Sequence, residues 1–288
     1  MQDKVFEFKN AVFLGLHENG SPEWHKLRKG AVGGSQVGTI LGVNPWESAV
    51  TAFYKATGAI DDHIEPSMSM RLGTKLEDDI LEVFSEEHPE LEIFTTGTYA
   101  SYKAPWQHAN PDGIYRKADG TLGVIEIKFS RDYWSEVPPS YRKQVLWYLH
   151  VLGLDEAYIV ALAGSAYQEF TIVRDQFEID AMVQAVERFY ECVQNNVQPD
   201  WDGSESTYDT MRKVYPDMLD EEEDLGDLGM YLSLAHDELK EAEAKFRELQ
   251  SRTLEALGDK KHGQSNGIRV VSKQQTKTGV PFLKMKGK

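Results

Sequence analysis

Residues 111–128 read PDGIYRKADGTLGVIEIK, and the fold turns on how this stretch pairs with itself. Two apolar runs flank Asp119-Gly120, a turn signal, so the stretch is expected to be a β-hairpin. In the second run Glu126 and Lys128 alternate with Ile125, Ile127 and Phe129, which puts both charges on one strand face. A two-residue Asp-Gly loop would set Asp112 across from Ile127. A three-residue loop, 118–120, with Gly120 left-handed would set Asp112 opposite Glu126. We adopt the second register, in which two carboxylates and one ammonium converge.

Carboxylates held that closely repel unless a cation lies between them, and hard oxygen ligands suit Mg²⁺ or Mn²⁺. Such an ion polarises a phosphoryl oxygen and acidifies water. Lys128 beside it would orient that water and stabilise charge developing on phosphate. The set suits hydrolysis of a phosphodiester. A surface hairpin with a solvated Glu–Lys pair, worth under about 1 kcal/mol, accounts for these few residues equally well.

Around the hairpin, Gly33-Gly34 precede a short helix over 35–41, with Ser35 as its N-cap. A second helix spans 48–57. A longer amphipathic one covers 70–87, where Leu72, Leu76, Ile80, Leu81 and Phe84 recur at helical spacing. Strands are expected at 93–100, 107–115, 123–129, 157–162 and 168–173, and helices at 139–152 and 177–195. The order implies a mixed α/β core with helices on the faces of its sheet. We expect this core over 1–197, an acidic, exposed linker over 198–227 containing the run DEEED (Asp220 to Asp224), and an extension over 228–288. The extension opens with a long helix or helical hairpin to Leu257 and ends in a basic, strand-like tail at 268–271 and 280–283. Its helix suits oligomerisation, partner docking or folding back on the core.

The 288 residues suffice for a sizeable core. A single cysteine, Cys192, excludes a disulfide framework, a Cys-based zinc site and a four-cysteine iron–sulfur cluster. No apolar stretch reaches the roughly 20 residues that span a bilayer, and no signal core opens the chain, so a cytoplasmic protein is expected. Net charge is −16, yet the last thirty residues carry eight Lys/Arg against one acid. Screening confines charge to about 8 Å at physiological salt, so local basic groups can still meet phosphate. His25 and His108 read as polar surface residues, Trp46 as packed on the core, and Cys192 as an inert helix residue.

Further candidates lie outside the hairpin. Glu77 sits on the helix over 70–87, and Gln144 and Tyr148 share a helix face, being four apart. Each fits an ordinary solvated or core-edge role when taken alone. With the hairpin, they resemble the PD-(D/E)XK nuclease superfamily, and more closely the phage lambda exonuclease and YqaJ viral recombinase family. WHKLRKG followed by GGS, RLGTKLEDDILEVF, ANPDGI, IEIK and YRKQVLWYLHVLG are similar to that family's motifs, in the same order, from about Leu14 to Gly153.

The resemblance implies a restriction-endonuclease-like core, a central mixed sheet flanked by helices, with a C-terminal helical extension. It implies Asp112, Glu126, Glu77 and the main-chain carbonyl of Ile127 as ligands of Mg²⁺ (or Mn²⁺), and Lys128 as the catalytic lysine. Gln144 would steady the nucleophilic water, with Tyr148 on the same wall. Glu77 would stand where many relatives carry a histidine. Arg28 and Ser35, otherwise a cation–π partner of Trp24 and a helix cap, would hold a 5′-terminal phosphate with the glycines before them. The implied function is a metal-dependent exonuclease on double-stranded DNA ends, commonly 5′ to 3′, in phage-type recombination. A single-strand annealing partner and a ring-shaped trimer are implied with it. An endonuclease of restriction or repair type, and a non-cleaving nuclease-fold DNA-binding protein, remain as alternatives.

Overall fold

A computed structural model describes residues 2–17, 20–61 and 65–286; Lys288 of the basic tail lies outside the described residues. In chain order the elements are β1 (Gln2–Asp3), β2 (Ala11–Gly15), α1 (Pro22–Arg28), β3 (Val32–Gly33), α2 (Gly34–Ile40), α3 (Ala49–Ala56), α4 (Met68–Glu87), β4 (Glu92–Thr95), β5 (Thr98–Ser101), β6 (Gln107–Ala109), β7 (Gly113–Arg116) and β8 (Leu122–Ser130). There follow α5 (Pro139–Leu152), β9 (Glu156–Ala163), β10 (Ala166–Val173), α6 (Gln176–Asn195), α7 (Glu205–Val214), α8 (Asp227–Leu257), β11 (His262–Ser265), β12 (Ile268–Gln275) and β13 (Pro281–Met285). The chain divides into two units, 1–217 and 218–288.

The first unit holds a six-stranded mixed sheet in the order β1-β4-β7-β8-β9-β10 and a four-stranded sheet in the order β2-β5-β6-β3. The 111–128 hairpin pairs Gly113 with Ile125 and Arg116 with Leu122. Its loop is 118–120: Lys117 N–H donates to Thr121 O, Gly120 N–H donates to Lys117 O, and Gly120 takes φ +88°. Continued by one residue, this register sets Asp112 beside Glu126, as the three-residue loop requires.

Two expected strands are each broken in two. Residues 93–100 become β4 and β5, and 107–115 become β6 and β7, with one half of each in either sheet. Pro111 lacks an N–H for a ladder and marks the second break. Gly97 marks the first, where a Cβ would lie 2.2 Å from Gly15 O. Thr98 Oγ1 donates to Asn110 Oδ1 at 2.7 Å, tying the crossings together.

The strand β8 alternates across two cores. Ile125 and Ile127 pack with Ile80, Leu81 and Phe84 of α4, while Val124 joins Val145, Leu146 and Leu149 of α5. Helix α5 starts on Pro139 and ends on Gly153 at φ +73°, the residues favoured at those positions. It lies buried against β5, β6, β8, β9 and the helices α2 and α6. Glycines allow α2 its close approach: a Cβ on Gly38 would stand 2.8 Å from Ser140 Cβ.

The stretch 198–227 is not an exposed linker throughout. Helix α7 packs on α3, where the buried hydroxyls of Ser48, Thr51, Thr207 and Thr210 bond to one another. The division therefore falls after Asp217, while the acidic run itself is exposed. In the second unit, 227–257 is one continuous helix, without a hairpin turn, and β11-β12-β13 form an antiparallel meander. Leu257 and Val271 are buried there, both beside Gly263.

Two surface assignments change. His108 is buried on β6, because that strand is enclosed, and its Nε2 lies 3.1 Å from Pro105 O. Trp46 is 77% exposed, since Asn44-Pro45 carry the chain outward before α3. No helix among the described residues is long and apolar enough to cross a membrane.

Candidate functional site

The site lies where β8 passes between the hairpin and α5. Glu126 points toward α5 and is 2% exposed. Its Oε1 accepts from Lys128 Nζ and from Gln144 Nε2. Its Oε2 is buried and meets no donor among the described residues. Asp112 turns one oxygen back on the strand, Oδ2 accepting from Ile127 N–H at 2.7 Å. Gln144 spends its second N–H on Tyr148 Oη at 3.0 Å. Tyr141, one turn before Gln144, places its ring centroid 5.0 Å from Lys128 Nζ; the sequence reading passed it over, although its i−3 spacing from Gln144 put it on that face.

Electrostatics follow from this crowding. Burial, then the Asp112 carboxylate, push Glu126 up to about 8, while Lys128 pulls it back. Glu77, half-buried on α4, rises to about 7 through burial and the charge of Asp112. Asp112 is also raised, by burial, against the opposing pull of Lys128 and the Ile127 N–H. Burial alone would lower the Lys128 ammonium, but Glu126 and Asp112 hold it above the usual range. Three carboxyl groups thus share one ammonium.

That donor set fits a hard divalent cation. The oxygens are of the right type, one buried oxygen is unmet, and carboxyls lifted toward neutral pH signal missing positive charge. Among the described residues, however, no three Asp, Glu, His or Cys side chains stand in closed metal-ligand geometry. Lys128 and Gln144 occupy the Glu126 oxygen instead. Of the four groups expected as ligands, Ile127 is seen to engage Asp112 through its N–H.

A second cluster adjoins this one. Arg28 stacks on Trp24, 4.3 Å from ring to guanidinium carbon, and donates from Nη2 to Ser35 Oγ at 3.2 Å. Ser35 is not the cap of α2. That position is Gly33, whose N–H donates to Gln36 Oε1 at 2.9 Å. Gly34 lies directly on α5, where a Cβ would stand 2.5 Å from Tyr148 Cε1 and 3.0 Å from Gln144 O. The charge of Arg28 is felt at both Tyr148 and His108. His108 Nδ1 is buried and without a partner among the described residues. Arg28, Ser35, Gly34, Tyr148, Gln144 and Glu126 therefore form one connected series. His25 remains exposed, edge-on to Trp24. Cys192 is a half-buried residue of α6.

The mixed sheet with its flanking helices is a fold that this chain shares with a solved exonuclease. An alkaline exonuclease (LHK-Exo) from Laribacter hongkongensis superposes with a TM-score of 0.52 at 20% identity, over 62% of this chain and 94% of that one. The same enzyme in complex with dAMP gives identical values. Residues 23–155 match the YqaJ-like viral recombinase domain. The chain is also 27% identical over 266 residues to the uncharacterized protein YqaJ of Bacillus subtilis (strain 168), covering 85% of this chain and 81% of that protein. The acids, Lys128, Gln144, Arg28 and Ser35 all lie within the matched residues 23–155.

Proposed function

We propose that this protein is a metal-dependent DNA exonuclease that degrades linear duplex from a 5′-phosphorylated end in phage-type recombination. The observation that carries this reading is the connected series from the Arg28–Ser35 pair to Glu126, which joins a guanidinium and a hydroxyl to a pocket where three carboxyls share one lysine. The dAMP complex of LHK-Exo supports it as a likeness in fold.

Asp112, Glu126 and Glu77 would hold Mg²⁺ or Mn²⁺, which supplies charge neutralisation and water activation when bound. Lys128 then has two tasks within the chain's own chemistry. It orients the water that attacks phosphorus and donates a hydrogen bond to the oxygen on which charge develops. Gln144, anchored by Tyr148, fixes the Glu126 carboxylate with its N–H and presents its amide oxygen to the water. Arg28 and Ser35 hold the terminal phosphate, which sets the first scissile bond in line.

The test uses linear duplex labelled at the 5′ or 3′ end, with and without 5′ phosphate, beside a covalently closed circle. Progressive loss from phosphorylated 5′ ends, with the circle intact, supports the proposal. Cleavage of the circle would assign an endonuclease instead. Binding that persists in EDTA with no cutting in any divalent metal would assign a DNA-binding protein.

A further inference from the structure

Helix α8 carries a pattern that the nuclease site does not use. From Leu228 to Thr253 its apolar stripe advances in alternating steps of four and three: Leu228, Leu232, Ala235, Leu239, Ala242, Phe246, Leu249, Thr253. This period of 3.5 residues is that of a coiled-coil seam, shorter than the 3.6 of a helix lying on a globular core. Its larger members are 47% to 65% exposed. The helix is 31 residues long, about 46 Å, ample for a stable seam.

We propose that two copies of this chain associate through α8 as an antiparallel coiled coil centred between Lys240 and Glu241. In that register Leu239 of one copy faces Ala242 of the other, Ala235 faces Phe246, Leu232 faces Leu249 and Leu228 faces Thr253. Large side chains then meet small ones in the inner layers, as close packing requires. A parallel, in-register pair would stack Phe246 on Phe246 and Ala235 on Ala235, overfilling one layer and emptying another.

The flanking charges agree. The antiparallel pairing sets Glu238 against Lys245 and His236 against Glu243, each twice by symmetry. The parallel pairing sets Glu238 against Glu243 twice, a repulsion. Glu238, Glu243 and Lys245 are all exposed along α8, Glu243 with Arg247 3.6 Å away on its own helix. The pairing uses residues of the second unit alone, none of them a residue of the proposed nuclease site, so it stands or falls independently of the proposed activity.

Sedimentation equilibrium of the full chain from about 1 to 100 μM tests the proposal. Wild type is expected to dimerise. Glu238→Lys should raise the dimer dissociation constant about tenfold, since two attractive pairs become repulsive. Adding Lys245→Glu in the same chain should restore it, and an equimolar mixture of the two single variants should form the heterodimer. Circular dichroism confirms that each variant keeps its helix content, both positions being exposed. A monomer at every concentration, or association that Glu238→Lys leaves unchanged or tightens, overturns the proposal; tightening is the response of a parallel pair.

Discussion

The first unit buries two polar clusters, and they differ in one respect. Around α3 and α7, Thr51 Oγ1 lies 2.7 Å from Thr210 Oγ1, and Thr207 Oγ1 lies 2.7 Å from Ser48 Oγ and 2.9 Å from the accepting Asp202 Oδ1. Every hydroxyl there has a partner, the one carboxylate, Asp202, accepts from Ser204 and Thr207, and the result is a tie between two helices. Around β8, by contrast, three carboxyls share one lysine, two of them rise to about 7 and 8, and Glu126 Oε2 is left over. Folding alone does not explain an arrangement so costly to bury. A satisfied cluster holds the protein together, whereas an unsatisfied one is shaped for something that arrives later.

Substitution should separate the two. The largest effect is expected at Glu126→Gln, which keeps the shape and removes the charge. DNA hydrolysis should fall by about 10³ or more, a loss typical of removing a group that fixes catalytic charge. Thermal stability of the metal-free protein at pH 8 should rise, because a buried, poorly compensated carboxylate has gone. A fall in both activity and stability would show that the cluster is structural after all. Next comes Gly34→Ala, whose methyl must displace Tyr148 or lift α2 from α5. We expect about a hundredfold loss of kcat from disturbed positioning, read by single-turnover digestion.

Arg28→Ala should cost about tenfold in the preference for 5′-phosphorylated over unphosphorylated ends, with internal chemistry preserved. An unchanged preference would remove Arg28 from end recognition. The pH response sharpens the comparison further. Glu77 and Glu126 bind protons more tightly folded than unfolded. Their contribution to stability is therefore full below about pH 4.5 and is lost as pH rises through about 7 to 8. The metal-free protein should lose several degrees of Tm across that window, by calorimetry, and Mn²⁺ should restore them at pH 8. Smallest is Thr207→Val, expected to destabilise by about 1–2 kcal/mol in urea titration while leaving hydrolysis unchanged.

Much of this was legible in the sequence because local rules decide it. The loop 118–120, with Gly120 left-handed, sets Asp112 beside Glu126, and the four-residue spacing of Gln144 and Tyr148 puts both on the buried face of α5. The sheet crossings were not legible, since a strand that changes sheets at Gly97 or Pro111 keeps its apolar character on both sides of the break. Helix α7 was hidden for another reason. Its contacts with α3 are made by Ser and Thr, residues whose composition reads as loop, and its partner lies more than 150 positions away. A serine after Gly-Gly has the form of a cap, but Gly33 holds that position, with its N–H met by the Gln36 side chain. His108 looked solvated because a lone histidine carries no sign of the strand that encloses it.

The claim beneath all of this is that the pocket around Lys128 breaks DNA. Digestion of 5′-phosphorylated linear duplex in Mg²⁺ by wild type and by Lys128→Ala, at equal concentrations of folded protein, addresses it directly. We expect steady release of mononucleotides by wild type and a loss of at least about 10² in the variant. Equal digestion by both would place the chemistry elsewhere.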